Sequence, residues 1–427
     1  MQTTTIRTAP SCADDREPGI LKVEEARRRI LDAVTPLKGE ERLALRSALG
    51  RVLARDVISP IDVPGHDNSA MDGYALAGAQ LPESGFLDLR VRATVAAGDR
   101  FEGSCKNGEC IRIMTGAPMP AGTDTVVMQE RTMELSDGRI RIGTGHRRGE
   151  NVRRAGEDIA AGAVVLEAGR WLAPADLGIL ASLGVAEVSV RRRVRVAFFS
   201  TGDELRGVGE PLAEGEVYDS NRYSLYGMLR RLGAEIQDMG VVRDDPVALR
   251  TAFAEAGELA DVVITSGGVS VGAADYTKAV LEELGEMAFW KIAMKPGRPL
   301  AFGRLGNAHF FGLPGNPVAV MVTFYQFVLP ALHWMASGRE WRPLIVEAIA
   351  AEPLRKRRGR YEFLRGVIEP GDDGILSVRS VGRQGSGILT SMSRGNCFIL
   401  LDEEQGDVAA GDRVRVQPFA ALTHCQG

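Results

Sequence analysis

The sequence is poor in cysteine and histidine, and this scarcity excludes several kinds of site. Only five of its 427 residues are cysteines, an odd number that argues against a disulfide framework and favours a reducing compartment. Cys105 and Cys110 stand close together, but no second pair and no histidine at ligand spacing accompanies them, so a zinc site is not predicted. The five histidines include no i, i+4 pair, which excludes a metalloprotease-like helix.

Motifs of the common nucleotide-binding classes are also missing. No Walker A motif and no G-x-G-x-x-G occurs, so the sequence does not support an ordinary kinase, GTPase or dinucleotide-binding protein. The 50 glycines follow no G-X-Y period, which excludes collagen and places the excess in turns and close-approach loops. A net charge of −4 gives no general reason to expect a nucleic-acid partner.

The composition is that of a globular protein, with 44% hydrophobic and 25% charged residues. Residues 317–336 contain no charged side chain, but Thr323, Gln326 and His333 interrupt the stretch. We therefore predict a buried helix in a soluble core rather than a membrane span. The first nineteen residues lack the apolar segment of a signal peptide and predict a disordered tail on a cytoplasmic protein.

The pattern of apolar residues changes along the chain, and the length suggests about two to four domains. Helical spacing predicts a helix over residues 23–34, and a second short helix is predicted over 40–49. Short apolar runs between turn residues predict a β-rich module over 57–150. Strands and helices alternate over 194–340, which predicts a mostly parallel α/β domain, and short strands after 341 predict a small β-barrel or sandwich.

Capping residues locate the helices of the α/β part. We predict helices over 220–232, ended by Gly233, and over 246–258, begun by a proline. A third helix is predicted over 275–284, and Asp245 is a candidate N-cap rather than a site residue.

Five predicted strands in this part are each followed by glycine, carboxylate or basic residues. These segments are 200–205, 243–246, 266–275, 295–299 and 314–317. Because ligands of open α/β sheets bind beyond the carboxyl ends of the strands, we expect these segments to meet in one site.

The residue types in these segments indicate a phosphate and metal site. Glycines leave backbone N–H groups open to an anion, and a helix N-terminus favours negative charge. Carboxylates suit a hard cation such as Mg²⁺. The predicted anion-binding residues are Ser266, Gly267, Gly268, Gly315 and Asn316, and Ser270 and Pro314 of the same segments are assigned to cofactor binding. The basic residues are Lys291, Lys295 and Arg298, and the predicted metal ligands are Glu204, Asp244 and Asp275.

Ordinary structural explanations compete with some of these assignments. Asp203 could be a turn residue, and Lys291 could be a solvated charge at a sheet edge. In the β-rich module, Asp72 lies in a Gly turn and Thr115 at a strand end, and both positions also suit simple turns. Spacing alone does not connect this module to the α/β site.

Six motifs stand together and in order: SAMDGYA (69–75), RIMTGAP (112–118), STGDEL (200–205), SGGVSVG (266–272), KPGRP (295–299) and LPGNP (313–317). With them the chain, from about residue 20 onward, closely resembles the MoeA-type molybdopterin molybdenumtransferases, relatives of the gephyrin E domain.

The resemblance implies an α/β multidomain fold. Its parts are an elongated helical/β domain formed by 20–57 and 154–193, a β-rich insertion over 58–153, a molybdopterin-binding α/β domain over 194–340 and a C-terminal β-barrel over 341–427. It also implies a homodimer whose active site combines one subunit's α/β domain with the partner's insertion.

The resemblance further implies the last step of molybdenum cofactor biosynthesis, in which adenylylated molybdopterin and molybdate give the cofactor, AMP and water with Mg²⁺. A non-catalytic molybdopterin carrier or gephyrin-like anchor, and a related adenylyltransferase, are the alternatives. The matching positions that the family associates with activity are Asp72, Thr115, Glu204, Asp244, Asp275, Lys291 and Lys295. Arg365 and Ser386 match shorter surroundings and are assigned to cofactor binding.

Overall fold

A computed structural model describes residues 20–267, 276–371 and 373–422. The predicted site residues Gly268, Ser270 and Asp275 lie outside these ranges.

A seven-stranded sheet forms the centre of the α/β part. Four of its six neighbouring pairs are parallel, and the two pairs made by strand Pro299–Leu305 are antiparallel. The mostly parallel α/β prediction is therefore confirmed. The strands follow the order Ile20–Leu21, Gly285–Ile292, Pro299–Leu305, Ala308–Leu313, Val262–Ser266, Arg195–Thr201 and Glu235–Val242.

The helices around this sheet begin and end where their caps predict. Helix Ser220–Leu232 ends at Gly233, which adopts φ 76°, and the Asp219 side chain caps its start. Helix Pro246–Leu259 is capped by Asp245, whose carboxylate accepts the N–H groups of residues 247 and 248. The N-cap assignment of Asp245 is thus confirmed. A further described helix is Tyr276–Leu284.

The predicted apolar helix runs continuously over Pro317–Ser337, with a π-helical segment at Phe324–Val328. It is long and apolar enough to cross a membrane, but 89% of its most apolar window is buried inside the protein. It packs in the same core as helix Val23–Ala33 and one face of the central sheet. The prediction of a buried core helix is confirmed.

His333 on this helix is buried and hydrogen-bonded at both ring nitrogens in its neutral form. The Trp171 indole N–H donates to His333 Nε2 at 3.1 Å and the two rings stack, while Nδ1 lies 2.9 Å from the Arg339 carbonyl oxygen. Burial lowers the pKa of His333 to about 4. His309, buried against Phe302, also has its pKa lowered to about 4 by burial.

Because both histidines are neutral in the folded state, acid should destabilise the protein. Stability from these groups is fully present above the ordinary histidine pKa, about 6.5, and is lost as the pH falls toward about 4. Each histidine should add a slope of up to about 1.4 kcal/mol per pH unit. The free energy of unfolding, measured with urea between pH 7 and pH 4, should fall less steeply with decreasing pH for His333→Gln than for the parent. An equal pH dependence would refute this account.

Small paired strands join the segments before and after the β-rich module. Strand Glu40–Ala44 pairs antiparallel with Glu187–Arg191, and Val57–Ile58 pairs with Val164–Leu166. The predicted helix over 40–49 is therefore wrong, because pairing with a distant strand leaves only the 3₁₀ turn Leu45–Ala48. The helix of this region is Pro174–Ser182.

A six-stranded sheet forms the β-rich module, whose existence is confirmed. A short pair, Asn68–Ser69 with Val152–Arg153, lies beside it. The sheet follows the order Thr125–Met128, Gly73–Leu76, Glu109–Ile113, Leu87–Val95, Arg139–Ile142 and Thr132–Glu134.

The C-terminal strands close into a five-stranded barrel, which confirms the predicted barrel and excludes the alternative of a sandwich. A short strand from the α/β part, Met294–Lys295, pairs in parallel with the start of the barrel strand Tyr361–Pro370. The barrel order is Tyr361–Pro370, Leu376–Ser380, Val346–Ala350, Arg413–Pro418 and Cys397–Leu401, which pairs again with the first strand. The remaining short elements are the parallel pair Leu205–Arg206 with Val217–Tyr218, helix Thr390–Arg394, and the 3₁₀ turns Gly78–Gln80, Gln129–Arg131 and Phe419–Leu422.

Candidate functional site

A cleft of ≈ 610 Å³ lies at the carboxyl ends of the central strands, where the barrel faces the α/β part. All five predicted strand-end segments contribute to its wall, so the structure brings them together. Their lining residues are Thr201, Gly202, Glu204, Asp244, Gly267, Lys295, Pro296, Gly297, Arg298, Pro299, Pro314, Gly315 and Asn316. From the barrel side come Arg360, Gln384, Gly385 and Ser386.

The Gly267 position requires glycine. Its φ is +94°, in the left-handed region, and a Cβ there would lie 2.5 Å from the Thr201 carbonyl oxygen. Its N–H donates to the Leu313 carbonyl oxygen at 3.1 Å, which holds this loop against the neighbouring strand end. The backbone can therefore come close to a ligand only because no side chain fills the space.

Asn221 fixes two of these loops to one another, and sequence reasoning missed it. Its side-chain amide donates to Ser266 Oγ at 2.8 Å and to the Gly315 carbonyl oxygen at 2.7 Å. The residue is buried in the first turn of helix Ser220–Leu232. An asparagine just after a helix start gives no sequence signal of this role, because caps and turns use the same residue.

The start of the apolar helix is tied to the barrel. Pro317 has no N–H, and the Val318 N–H donates to the Ser386 carbonyl oxygen at 3.0 Å. The predicted site residues Gly315 and Asn316 line the cleft at this point. The loop that carries Ser386 therefore forms one wall of the cleft together with the helix start.

Arg365 lies beneath that loop instead of lining the cleft. It is 1% exposed, and its guanidinium donates to Ser391 Oγ at 3.0 Å and to the Gly385 carbonyl oxygen at 3.2 Å. Burial lowers the pKa of Arg365 to about 10. Its contacts fit a residue that supports the cleft wall, and direct cofactor binding by Arg365 stays a prediction.

Carboxylates gather on one side of the cleft. Asp244 and Glu204 line it, and the Asp244 N–H donates to the Asp203 carboxylate at 3.3 Å. Burial raises the pKa of Asp244, and the nearby charges of Asp203 and Glu204 raise it further. A bound cation would reduce this repulsion between the carboxylates, so the arrangement favours cation binding. Within residues 20–267, 276–371 and 373–422, no three such side chains are grouped closely enough to hold a metal ion.

Basic residues stand on another side. Lys295 and Arg298 line the cleft, and the Lys295 side chain is 54% exposed. Lys291 is half-buried in strand Gly285–Ile292 and lies opposite both Ile20 and Pro299. This strand is therefore not a sheet edge at Lys291, and the lysine is not among the residues lining the cleft.

Asp72, which is half-buried, and Thr115, which is exposed, form a hydrogen-bonded pair that does not line the cleft. Asp72 Oδ1 accepts the Thr115 N–H at 2.8 Å and its hydroxyl at 2.7 Å, and these two bonds lower the pKa of Asp72. Neither residue lines the cleft of the same chain. The structure thus brings the two residues together but does not place them among the residues that line the cleft.

Comparisons with known proteins bear on this arrangement. Residues 21–184 match the MoeA N-terminal region (domain I and II), 197–334 a probable molybdopterin binding domain, and 347–419 the MoeA C-terminal region (domain IV). A molybdopterin molybdenumtransferase of Haemophilus influenzae is 46% identical over 404 residues, which are 94% of this chain and 100% of that protein. One from Nostoc is 37% identical over 380 residues, or 87% of each chain. A crystal structure of a molybdopterin biosynthesis MoeA protein from Pyrococcus horikoshii has a TM-score of 0.82 and 29% identity, and the match covers 93% of this chain and 100% of that one.

Proposed function

The chain belongs to the MoeA family of molybdopterin molybdenumtransferases, and we propose that the cleft between its α/β part and its barrel is where molybdenum enters molybdopterin. The reaction is the final step of molybdenum cofactor biosynthesis: adenylylated molybdopterin and molybdate give the cofactor, AMP and water. The observation that carries this assignment is the cleft itself, where open backbone, carboxylates and basic side chains meet at the strand ends.

The glycine-containing loops would bind the phosphate groups of the pterin substrate. Gly267 and Gly315 present backbone without side chains, and Asn221 holds both loops in place. The Gly267 and Val318 N–H groups already donate to carbonyl oxygens, so the phosphate would meet other N–H groups of these loops and of the helix start, which favour anions without needing a charged residue. Gly268 and Ser270 belong to this proposal by sequence alone, because they lie outside the described residues.

Mg²⁺ is part of the proposal because two carboxylates, Glu204 and Asp244, line the same cleft and carboxylates are ligands that this cation uses. Glu204 and Asp244 would hold the ion, together with Asp275, whose part rests on the sequence. When bound, the ion would offset negative charge on the pyrophosphate. The negative charge of Glu204 and Asp244 would favour a cation in that part of the cleft and disfavour the molybdate anion there.

Lys295 and Arg298 line the cleft and would attract molybdate and orient it toward the dithiolene sulfurs of the pterin. Lys291, which does not line the cleft, would contribute through its positive charge. The ammonium and guanidinium groups form charge-assisted hydrogen bonds with oxyanions. No protein thiol is needed, and the described cysteines Cys105, Cys110 and Cys397 are buried and unpaired. Such free thiols suit the cytoplasmic location that we also propose.

We further propose a homodimer in which Asp72 and Thr115 of one subunit complete the cleft of the other. This arrangement explains why the pair does not line the cleft of its own chain. The bonded, ionised Asp72 would then contribute a fixed negative charge at the site entrance.

Subunit mixing tests this arrangement. At limiting molybdate, the Asp72→Asn and Lys295→Met proteins should each have strongly reduced but measurable activity, and their mixture should recover up to about one quarter of parental activity. Recovery requires mixed dimers, in which one of the two sites combines the intact Lys295 of the Asp72→Asn chain with the intact Asp72 of the Lys295→Met chain. The control is a chain that carries both substitutions, which offers no intact contribution to any site and should not recover activity. Absence of recovery, with subunit exchange verified by differently tagged chains, would contradict the shared site.

The proposed activity itself is tested with adenylylated molybdopterin, molybdate and Mg²⁺. We expect AMP release that depends on molybdate, and reconstitution of a molybdenum-free apoenzyme. Tight pterin binding without either result would indicate a carrier or anchoring protein. Consumption of ATP with release of pyrophosphate would indicate an adenylyltransferase.

A further inference from the structure

We propose that Glu362, on the barrel strand Tyr361–Pro370, is a positioning residue that holds the Lys295 ammonium group where it can bind molybdate. The inference rests on the proposed role of Lys295 and assigns part of the oxyanion site to the barrel. Glu362 itself does not line the cleft, so it would act through the lysine.

Backbone pairing sets the two residues side by side. Strand Met294–Lys295 lies parallel to the start of strand Tyr361–Pro370, with Lys295 opposite Glu362. The Lys295 Nζ is 3.5 Å from Glu362 Oε2. The carboxylate side chain is only 6% exposed, whereas the lysine side chain is 54% exposed. The ammonium therefore lies between a buried anion and the open cleft.

A buried carboxylate in this position needs a reason. Removing an ionised carboxylate from water is costly unless a partner charge compensates for it. Lys295 provides that charge. A second lysine, Lys356, is also near: the charge of Glu362 raises the pKa of Lys356, although burial lowers this pKa by more. Lys356 is 5% exposed, and its ammonium donates to the Arg357 carbonyl oxygen at 2.6 Å.

The two lysines also interact unfavourably, since the charge of Lys295 lowers the pKa of Lys356. Glu362 thus balances two ammonium groups. Without its charge, the more exposed Lys295 would turn away toward water, because its long side chain has many rotamers. With it, the ammonium is held beside the cleft before the oxyanion arrives, and less freedom is lost on binding.

Glu362→Gln removes the charge and keeps the shape. We expect the KM for molybdate to rise about tenfold with kcat changed less than about twofold, the size of effect that loss of one charge-assisted contact gives. The matched control is Glu369→Gln on the same strand, an exposed glutamate paired with Arg379, which should leave both constants unchanged.

A double-mutant cycle separates positioning from general destabilisation. If Glu362 acts through Lys295, then Glu362→Gln should have no further effect on molybdate KM once Lys295→Met is present. Additive effects in the cycle, or a lower melting temperature with an unchanged KM, would overturn the proposal. Should Glu362→Gln fail to fold, Glu362→Asp keeps the charge on a shorter stem and should raise the KM about threefold, again only when Lys295 is present. A Lys295→Met protein with parental molybdate KM would instead refute the role of Lys295 itself.

Discussion

Asp244→Asn is expected to lower the rate of AMP release by about 10²- to 10³-fold while leaving the protein equally stable or more stable. The carboxylate lines the cleft, and burial and the charges of Asp203 and Glu204 raise its pKa. A raised pKa means that the ionised form is disfavoured in the folded state, so removing the charge relieves repulsion. A loss of activity without a loss of stability would therefore mark a functional charge.

The neighbouring residue provides the control for this substitution. Asp245 caps helix Pro246–Leu259 through the N–H groups of residues 247 and 248, and asparagine is an equally good N-cap. Asp245→Asn should keep parental activity and stability. The rates of all three proteins should be measured over a series of Mg²⁺ concentrations, where Asp244→Asn should need more Mg²⁺. Parental activity of Asp244→Asn at limiting Mg²⁺ would refute its role as a ligand.

Gly267→Ala should have the second large effect, with binding of adenylylated molybdopterin weakened by about 100-fold or more. The added methyl group would meet the Thr201 carbonyl oxygen at 2.5 Å, so the loop must move away from its neighbouring strand end. Movement of that loop would displace the backbone groups proposed to hold the phosphate. Equilibrium binding of the pterin substrate, followed by calorimetry or fluorescence, measures the loss.

Gly209→Ala separates the steric clash from backbone strain. Gly209 has φ +95°, almost the value of Gly267, but nothing lies within 4 Å of the position that a Cβ would take there. Alanine in the left-handed region costs about 1–2 kcal/mol at either position. Gly209→Ala should therefore lose stability and keep pterin affinity, whereas Gly267→Ala should lose both. Equal affinities for the two variants would show that the Gly267 loop does not bind the substrate.

The central sheet and its ligand-facing loops could be predicted from the sequence because their signals are local. Helix Ser220–Leu232 has an acidic cap at its start and a glycine at its end, and both boundaries agree with the prediction. The strand-end segments could be located because parallel strands direct their carboxyl ends to one edge. The pattern of short strands alone did not distinguish a barrel from a sandwich, but the family resemblance implied a barrel, and the strand pairing confirms it.

The failures share one cause, which is contact between residues far apart in the chain. Residues 40–44 have an acceptable helix composition, yet they form a strand because Glu187–Arg191 is available as a partner. Asn221 and Glu362 are ordinary polar residues in the sequence and gain their roles only from Gly315 and Lys295, respectively. The roles of the predicted site residues, and the domain boundaries, stay predictions.

The pairing of Ile20–Leu21 with strand Gly285–Ile292 has a consequence for synthesis on the ribosome. The partner strand of Ile20–Leu21 is translated more than two hundred and fifty residues later, as the positions 20–21 and 285–292 show. The strand that carries Lys291 therefore receives its outer neighbour from a segment that is distant in the sequence. A separately expressed α/β fragment beginning near residue 195 would expose that backbone edge and invite self-association.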